Sequence, residues 1–448
     1  MLNQGSIFIW RLPVFGFKLN IWEKKQLRVW KSCLVLCFLA LSISSSLARG
    51  VKEEAPETVT VRYAFWGNPE TIAAEQDIIY VFEATHPGIH IEPMLASSFS
   101  DYHSTVLSMI ASGVQPDVIK LDNCYYQDFQ RLGALAQLDS YLASWDTSVY
   151  PAEAMEEVTL DGHVYGLPCS YSPVYLALNL DTFSKAGLDL PEYDWDIDCF
   201  IALLKAFGGD ATGVYGWASQ FTRHPFYPFL WAGGADLLTP DRQHSQIESG
   251  VRALETIAGL YQEGYLPRDM VAVTTQEPVL RWFAKGTVAM ITVTAEDVLA
   301  LKALKDVRFA LYPFPGGAVR NTTPVKTDIA AMTSSSLFKD EAWEFLSFLC
   351  SLDGHRLYTA ARCQTPSFNT EEDLWALYLE PYGYPSNAED VTKLIYSDYQ
   401  HQLPLRPGFS ELDGLLLPVF KRIMTGSLSA EEGLEELSGR IEAVLAKP

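Results

Sequence analysis

The tightest constraint on this chain is a run of alternating strand and helix patterns that begins at Thr58. In "TVTVRYAF", Val59, Val61, Tyr63 and Phe65 recur at every second position, the period of a half-buried strand. "GNPE" interrupts it and sets Pro69 to open a helix. Ile78, Ile79 and Phe82 then share a helical face that Pro87-Gly88 ends. "IHIEPML" reads as a second strand and "DYHSTVLSMIASG" as a helix stopped by Gly113. "PDVIKLD" reads as a third strand, and a helix follows it into "LGALAQLDSYL". Strand–helix pairs in this succession predict an α/β layer around a parallel sheet.

The rest of the chain keeps the same vocabulary. "DWDIDCFIALLKAF" is an amphipathic helix, and "YPFLWAGGADLL" is an aromatic segment broken at Gly233-Gly234. "VLRWFAKGTVAMITV" passes from helix to strand through Gly286, and "VRFALYPFPGG" is a further strand. In "SSSLFKDEAWEFLSFLCS", Ala342, Phe345, Leu346 and Leu349 fall at i, i+3, i+4 and i+7 of a helix. The tail is helical, and no internal repeat is present. A chain of 448 residues suits two or three lobes. Its net charge of -22 argues against nucleic acid and against docking of the folded body on anionic lipid.

Ahead of the first strand, Lys24, Lys25, Arg28 and Lys31 precede "SCLVLCFLALSISSSLA". A basic flank, an apolar centre and small residues at the end form a signal-peptide pattern over 1–48. An uncleaved anchor is the alternative. The long flank places the expected translation start near Leu27 or Val29. "RGVKEEAPE", 49–57, reads as a tether. Cys33 and Cys37 lie in the leader, and Cys124, Cys169, Cys199, Cys350 and Cys363 form no CxxC. Either Cys350 pairs with Cys363 in an oxidising compartment or these are buried reduced thiols.

Nucleotide, zinc-protease, serine-hydrolase and EF-hand motifs are absent. His163 and His224 have no ligand spacing around them, so neither metal nor cofactor is expected. Glu156-Glu157 and Glu371-Glu372 read as solvated faces, and nothing local marks the paired carboxylates of a glycosidase.

Taken in order, several segments resemble the extracellular solute-binding proteins of ABC importers, in the sugar-binding group that includes maltose-binding protein. "VRYAFWG", "PDVIKLD", "DGHVYGLPCSYSPVYLALNLDTFSKAGLDLPEYDW", "FAKGTVAMI", "YPFPGG", "DEAWEFLSFLCSLDG" and "TGSLSAEEGLEEL" follow the family's sequence of pieces over 58–446. The resemblance implies an α/β fold of two discontinuous lobes joined by a hinge, of the periplasmic-binding-protein type II kind, with the ligand cleft between them. Lobe one is expected at 58–168 and 293–350, and lobe two at 169–292 and 351–448. It implies a monomeric, non-enzymatic protein, periplasmic or extracellular, exported and open to membrane anchoring. Such a protein delivers a small-molecule solute, a sugar, to membrane ABC permease subunits. The sequence departs from the family pattern at Leu178-Asn179, at Asp194-Trp195, in "VKTDIAA" and near Glu296.

Sugars are held by aromatic faces and by planar polar groups. Trp66 and Asn68 follow the first strand, and Asp122 and Asn123 end the third, at the carboxyl edge where α/β sheets bind ligands. The plainer readings are lobe core for Trp66 and a helix N-cap for Asp122. Tyr171 and Ser172 follow Pro168 in the crossing segment and are expected to face the cleft; hinge packing is the alternative for Tyr171. Trp231, beside Gly233-Gly234, is the expected stacking residue of lobe two, with Tyr227 near it. The resemblance, through its imperfect matches, implies Glu296 and Phe409 as further contacts. Two rival functions stand beside this one: a secreted carbohydrate-active enzyme, and a binder of another solute. An acidic cleft would favour a polyamine, and Arg or Lys in the cleft a phosphorylated sugar.

Overall fold

The computed structural model describes residues 58–67, 69–95, 99–304, 306–361, 373–379 and 385–447. The leader, the tether, Asn68, Cys363 and Glu371-Glu372 lie outside the described residues.

The first sheet forms as the alternation predicts. Strand β1 (Val59–Phe65) runs parallel to β2 (Ile89–Leu95) and β3 (Val118–Asp122). Helices α1 (Pro69–Thr85), α2 (Phe99–Ala111) and α3 (Asn123–Arg131) follow these strands. The period of two separates the faces of the sheet. Val61, Tyr63 and Phe65 enter one core with Phe345 and Leu346, while Ala64, Ile119 and Leu121 enter another with Tyr102 and Phe129. Helix α4 (Ala152–Val158) leads through a small hairpin, β4 (Thr159–Leu160) and β5 (His163–Val164), into the crossing segment.

That segment is two strands in two sheets. β6 (Gly166–Pro173) belongs to the first sheet and β7 (Tyr175–Asn179) to the second. The second sheet has the order β10-β7-β9-β8, with β8 (Tyr215–Ala218), β9 (Val288–Val293) and β10 (Phe309–Tyr312). Around it pack α5 (Ile197–Phe207), α6 (Tyr227–Ala232), α7 (Val251–Gln262) and α8 (Ala295–Ala303). The chain then returns to the first sheet as β11 (Thr323–Met332), antiparallel to both β3 and β6. Helix α9 (Lys339–Cys350) buries Ala342, Phe345, Leu346 and Leu349, the face its spacing predicts. β12 (Gln400–His401) pairs with the start of β11. Helices α10 (Phe409–Met424) and α11 (Ala430–Leu445) close the second core, where Phe409, Leu412, Leu434 and Leu437 meet Trp217 and Phe229.

The sheets change hands at different points from the expected lobe boundaries. β6 stays bonded to β11 as far as Pro173, so the crossing falls at Val174 and not after Pro168. Phe309–Tyr312, inside 293–350, pairs with β7 and stays in the second sheet. The return crossing therefore lies between Tyr312 and Thr323.

Candidate functional site

The carboxyl ends of β1 and β3 face the second sheet across a seam, and the seam is charged although buried. β11 runs against β3 with Asp328 opposite Asp122. Next along the strand, Lys120 is 4% exposed and places its Nζ 3.3 Å from Glu75 Oε1 and 3.6 Å from Asp328 Oδ2. Burial alone would lower the Lys120 pKa, but Glu75 and Asp328 outweigh it and raise it. Lys326 Nζ lies 3.0 Å from Asp328 Oδ1. Both ammonium groups sit over the Trp66 indole, 5.4 and 5.7 Å from a ring centroid.

A second cluster spans the seam. Asp122 is fully buried and caps α3 by accepting from Cys124 N at 3.0 Å. From the second sheet's side, Arg223 Nη2 donates to both Asp122 oxygens, at 3.1 and 3.2 Å. Its Nη1 donates to Asp413 Oδ2 of α10 at 3.1 Å, and Tyr227 Oη donates to Asp413 Oδ1 at 3.4 Å. Burial pushes Asp122 upward, yet the Arg223 guanidinium holds its carboxyl well below the usual range. For Asp413 burial wins and the pKa is raised, because Arg223 is shared and Asp122 repels. His103 Nε2 accepts from Asp122 N at 3.3 Å, and burial lowers the ring to about 4, so it is neutral near pH 7. Burial and Arg223 bring His224 down to about 3.

Two cavities open along the seam. A 30 Å³ space lies among Ser172, Thr294, Glu296, Lys326 and Asp328. A larger one, 370 Å³, is lined by Trp231, Asp236, Arg242, Gln246, His401 and Gln402. Trp231 is 1% exposed, and its Nε1 has no hydrogen-bond partner among the described residues. The same holds for Arg223 Nε. Glu157 accepts from Asn123 Nδ2 at 3.1 Å through Oε2. Burial lifts its pKa to about 7, against the pull of Thr327 and Asn123.

Residues 67–354 match the family described as bacterial extracellular solute-binding protein. The chain belongs to that family. A binding protein of Brucella abortus is 24% identical over 427 residues, which cover 94% of this chain and 100% of the relative. An ABC substrate-binding protein of Listeria monocytogenes, solved in complex with cycloalternan, superimposes with a TM-score of 0.78 at 20% identity. It covers 87% of this chain and 100% of that one. A maltose-bound protein of T. maritima gives 0.74 at 18% identity, over 86% and 100% of the two chains. The fold of this solute-binding protein is thus the two-lobed α/β type of the periplasmic binding proteins, as the order of its segments predicts. Among the described residues no helix is long and apolar enough to cross a membrane.

Within this solute-binding protein the expected contacts sort unevenly. Trp66 is 8% exposed and packs on Tyr102 and His103, beneath the lysines at the seam. Asp122 and Asn123 stand at the seam, Asp122 also serving as the N-cap. Ser172 and Glu296 meet at the small cavity. Tyr171 does not join them. Adjacent residues of a strand point to opposite faces, and Tyr171 sits opposite Thr327 while Ser172 sits opposite Lys326. The Tyr171 ring stacks on Tyr396 at 5.5 Å and its hydroxyl donates to Gln400 Oε1 at 2.7 Å, so it is hinge packing. Phe409 is also corrected: its side chain is fully buried in the second core.

Trp231 is at the larger cavity, but Tyr227 and His401 already stack on its ring, at 5.3 and 4.0 Å. It offers the Nε1 edge, not a bare face, and Tyr227 is engaged with it and with Asp413. Glu157, expected on a solvated face, is half-buried. Its spacing held a signal, since it lies three residues after Ala154, which is buried on α4. Asp413 likewise lies four residues after the buried Phe409 of α10. Arg223 sits in the irregular "SQFTRHP", where no period points to it.

Proposed function

We propose that this solute-binding protein captures a carbohydrate at the seam by lobe closure and delivers it to the membrane permease subunits of an ABC importer. The observation that carries the reading is the set of buried polar atoms left unpartnered there. Trp231 Nε1 and Arg223 Nε are both donors. A buried polar group without a partner costs about 1–3 kcal/mol, so a solute that meets them is favoured. Neutral sugar hydroxyl oxygens accept from both. A polyammonium ion only donates and meets neither; a phosphate dianion accepts from both but brings its charge beside the Asp122 and Asp413 carboxylates. The 370 Å³ cavity beside Trp231 falls within the size range of small-molecule sites.

The lobes that close are built on the two sheets, with the changeovers at Val174 and between Tyr312 and Thr323. The protein acts as a monomer without chemistry of its own. It is exported by the leader at 1–48 and tethered by 49–57. A thermal-shift screen of mono- and oligosaccharides, polyamines and phosphorylated sugars tests this, because a solute bound only by the native state raises its stability. A rise with a neutral sugar supports the reading; a rise confined to polyamines or phosphorylated sugars overturns it.

A further inference from the structure

We propose that Arg223 is a latch, mounted on the second lobe, that shuts the cleft by pairing with Asp122 of the first lobe. The inference rests on capture by closure but not on the identity of the solute.

The latch is mounted before it closes. Asp413 holds Arg223 Nη1 at 3.1 Å, and Tyr227 holds Asp413, all from the second sheet's side. The receiving carboxylate is fixed independently, because Asp122 accepts from Cys124 N as the cap of α3. Asp128 of α3 also accepts from Gly408 N and Ser410 Oγ at the start of α10, so parting the lobes breaks those bonds along with the Arg223–Asp122 pair. Only Nη2 of Arg223 crosses to Asp122.

The energetics are one-sided. With the lobes together Asp122 is fully buried, and Arg223 supplies its main counter-charge. With the lobes apart water takes over that role, while Arg223 keeps Asp413. Loss of Arg223 therefore penalises the closed form, where the buried Asp122 is left with Lys326 as the main remaining cation acting on it. The neighbouring His103 is neutral near pH 7 and does not replace it. The contact involves protein groups alone, so it biases the lobes toward closure before any solute arrives. A binding-competent state that is already populated raises apparent affinity in proportion to that population.

Small-angle X-ray scattering of the full chain, without solute, tests the latch. The wild type is compared with Arg223→Gln, Asp122→Asn and the double variant; Asn retains the cap. The expected result is wild-type scattering shifted toward the closed form relative to an expanded profile for Arg223→Gln. The closed-to-open ratio falls at least about tenfold, the scale of one unpaired buried charge. The double variant recovers part of the closure, because the charge left unpaired at Asp122 is gone; a merely structural role of Arg223 would not produce that recovery. Should circular dichroism show Arg223→Gln unfolded, Arg223→Lys is used, and its single ammonium gives an intermediate profile. Identical profiles for wild type and folded variants, or an open wild type, overturn the latch. A scattering shift in a protein that binds no sugar keeps the latch and removes the carbohydrate reading.

Discussion

Two buried ion clusters lie side by side in this molecule, and they do different work. Lys120, Glu75 and Asp328 all belong to the first sheet and its first helix. Arg223, Asp122 and Asp413 straddle the seam. In each a cation bridges two carboxylates, and in the first Lys326 adds a second cation at Asp328. The first is held together within one sheet and its helix, with Lys120 and Asp328 also lining the small cavity at the seam; the second is held across the seam, and on the closure proposed above its Arg223–Asp122 contact parts with the lobes. On that proposal, Lys120 acts mainly on the stability of the fold and Arg223 mainly on the closed conformation. Where a cluster sits relative to a moving boundary decides which equilibrium it governs.

The largest effect is expected inside the sheet. Lys120→Ala strands the buried Glu75, while Asp328 keeps Lys326, and should lower unfolding stability by about 3–5 kcal/mol, read by urea denaturation at pH 7. A loss below about 1 kcal/mol would erase the distinction between the clusters. Arg223→Ala should lower unfolding stability by less than half as much. Its main effect is on solute affinity, weakened roughly tenfold or more, measured by calorimetry on the sugar found by screening. Trp231→Phe keeps the stacking on His401 and removes the unpartnered Nε1. Affinity should fall about five- to thirtyfold with a small change in melting temperature, as for one hydrogen bond lost; unchanged affinity would remove Trp231 from the site.

The smallest effect is a pH dependence. Burial raises Glu157 from the ordinary 4.5 to about 7, so the folded form holds its proton more tightly than the unfolded chain. The associated stability is present below about pH 4.5 and is lost as pH rises through about 7. Glu157→Gln carries no charge to bury. It should exceed the wild type by about 1–3 kcal/mol at pH 8 and match it near pH 4.5. A difference that stays constant across this range would place Glu157 in water, as its sequence suggests.

Much of the fold was legible because periodicity reports burial directly. Val61, Tyr63 and Phe65 share one face of β1, and Ala342, Phe345, Leu346 and Leu349 one face of α9, as their spacing predicts. The strand-end rule also led to Trp66 and Asp122. It failed where the structure depends on contacts distant in sequence. Tyr171 and Ser172 are neighbours, yet the pleat and the pairing to β11 send them to opposite faces. Trp231 reads as an open stacking ring until His401, 170 residues later, covers it. Arg223 has no local pattern at all, because its role is set by two carboxylates, 101 residues before it and 190 after it.

Hydrogen-exchange mass spectrometry, with and without the bound sugar, tests the central claim most directly. Solute capture at the seam predicts added protection on both sides at once: in 118–131 and 323–332 of the first sheet's side, and in 223–236 and 401–413 across from it. Protection confined to one side, or to segments away from the seam, would contradict capture by closure.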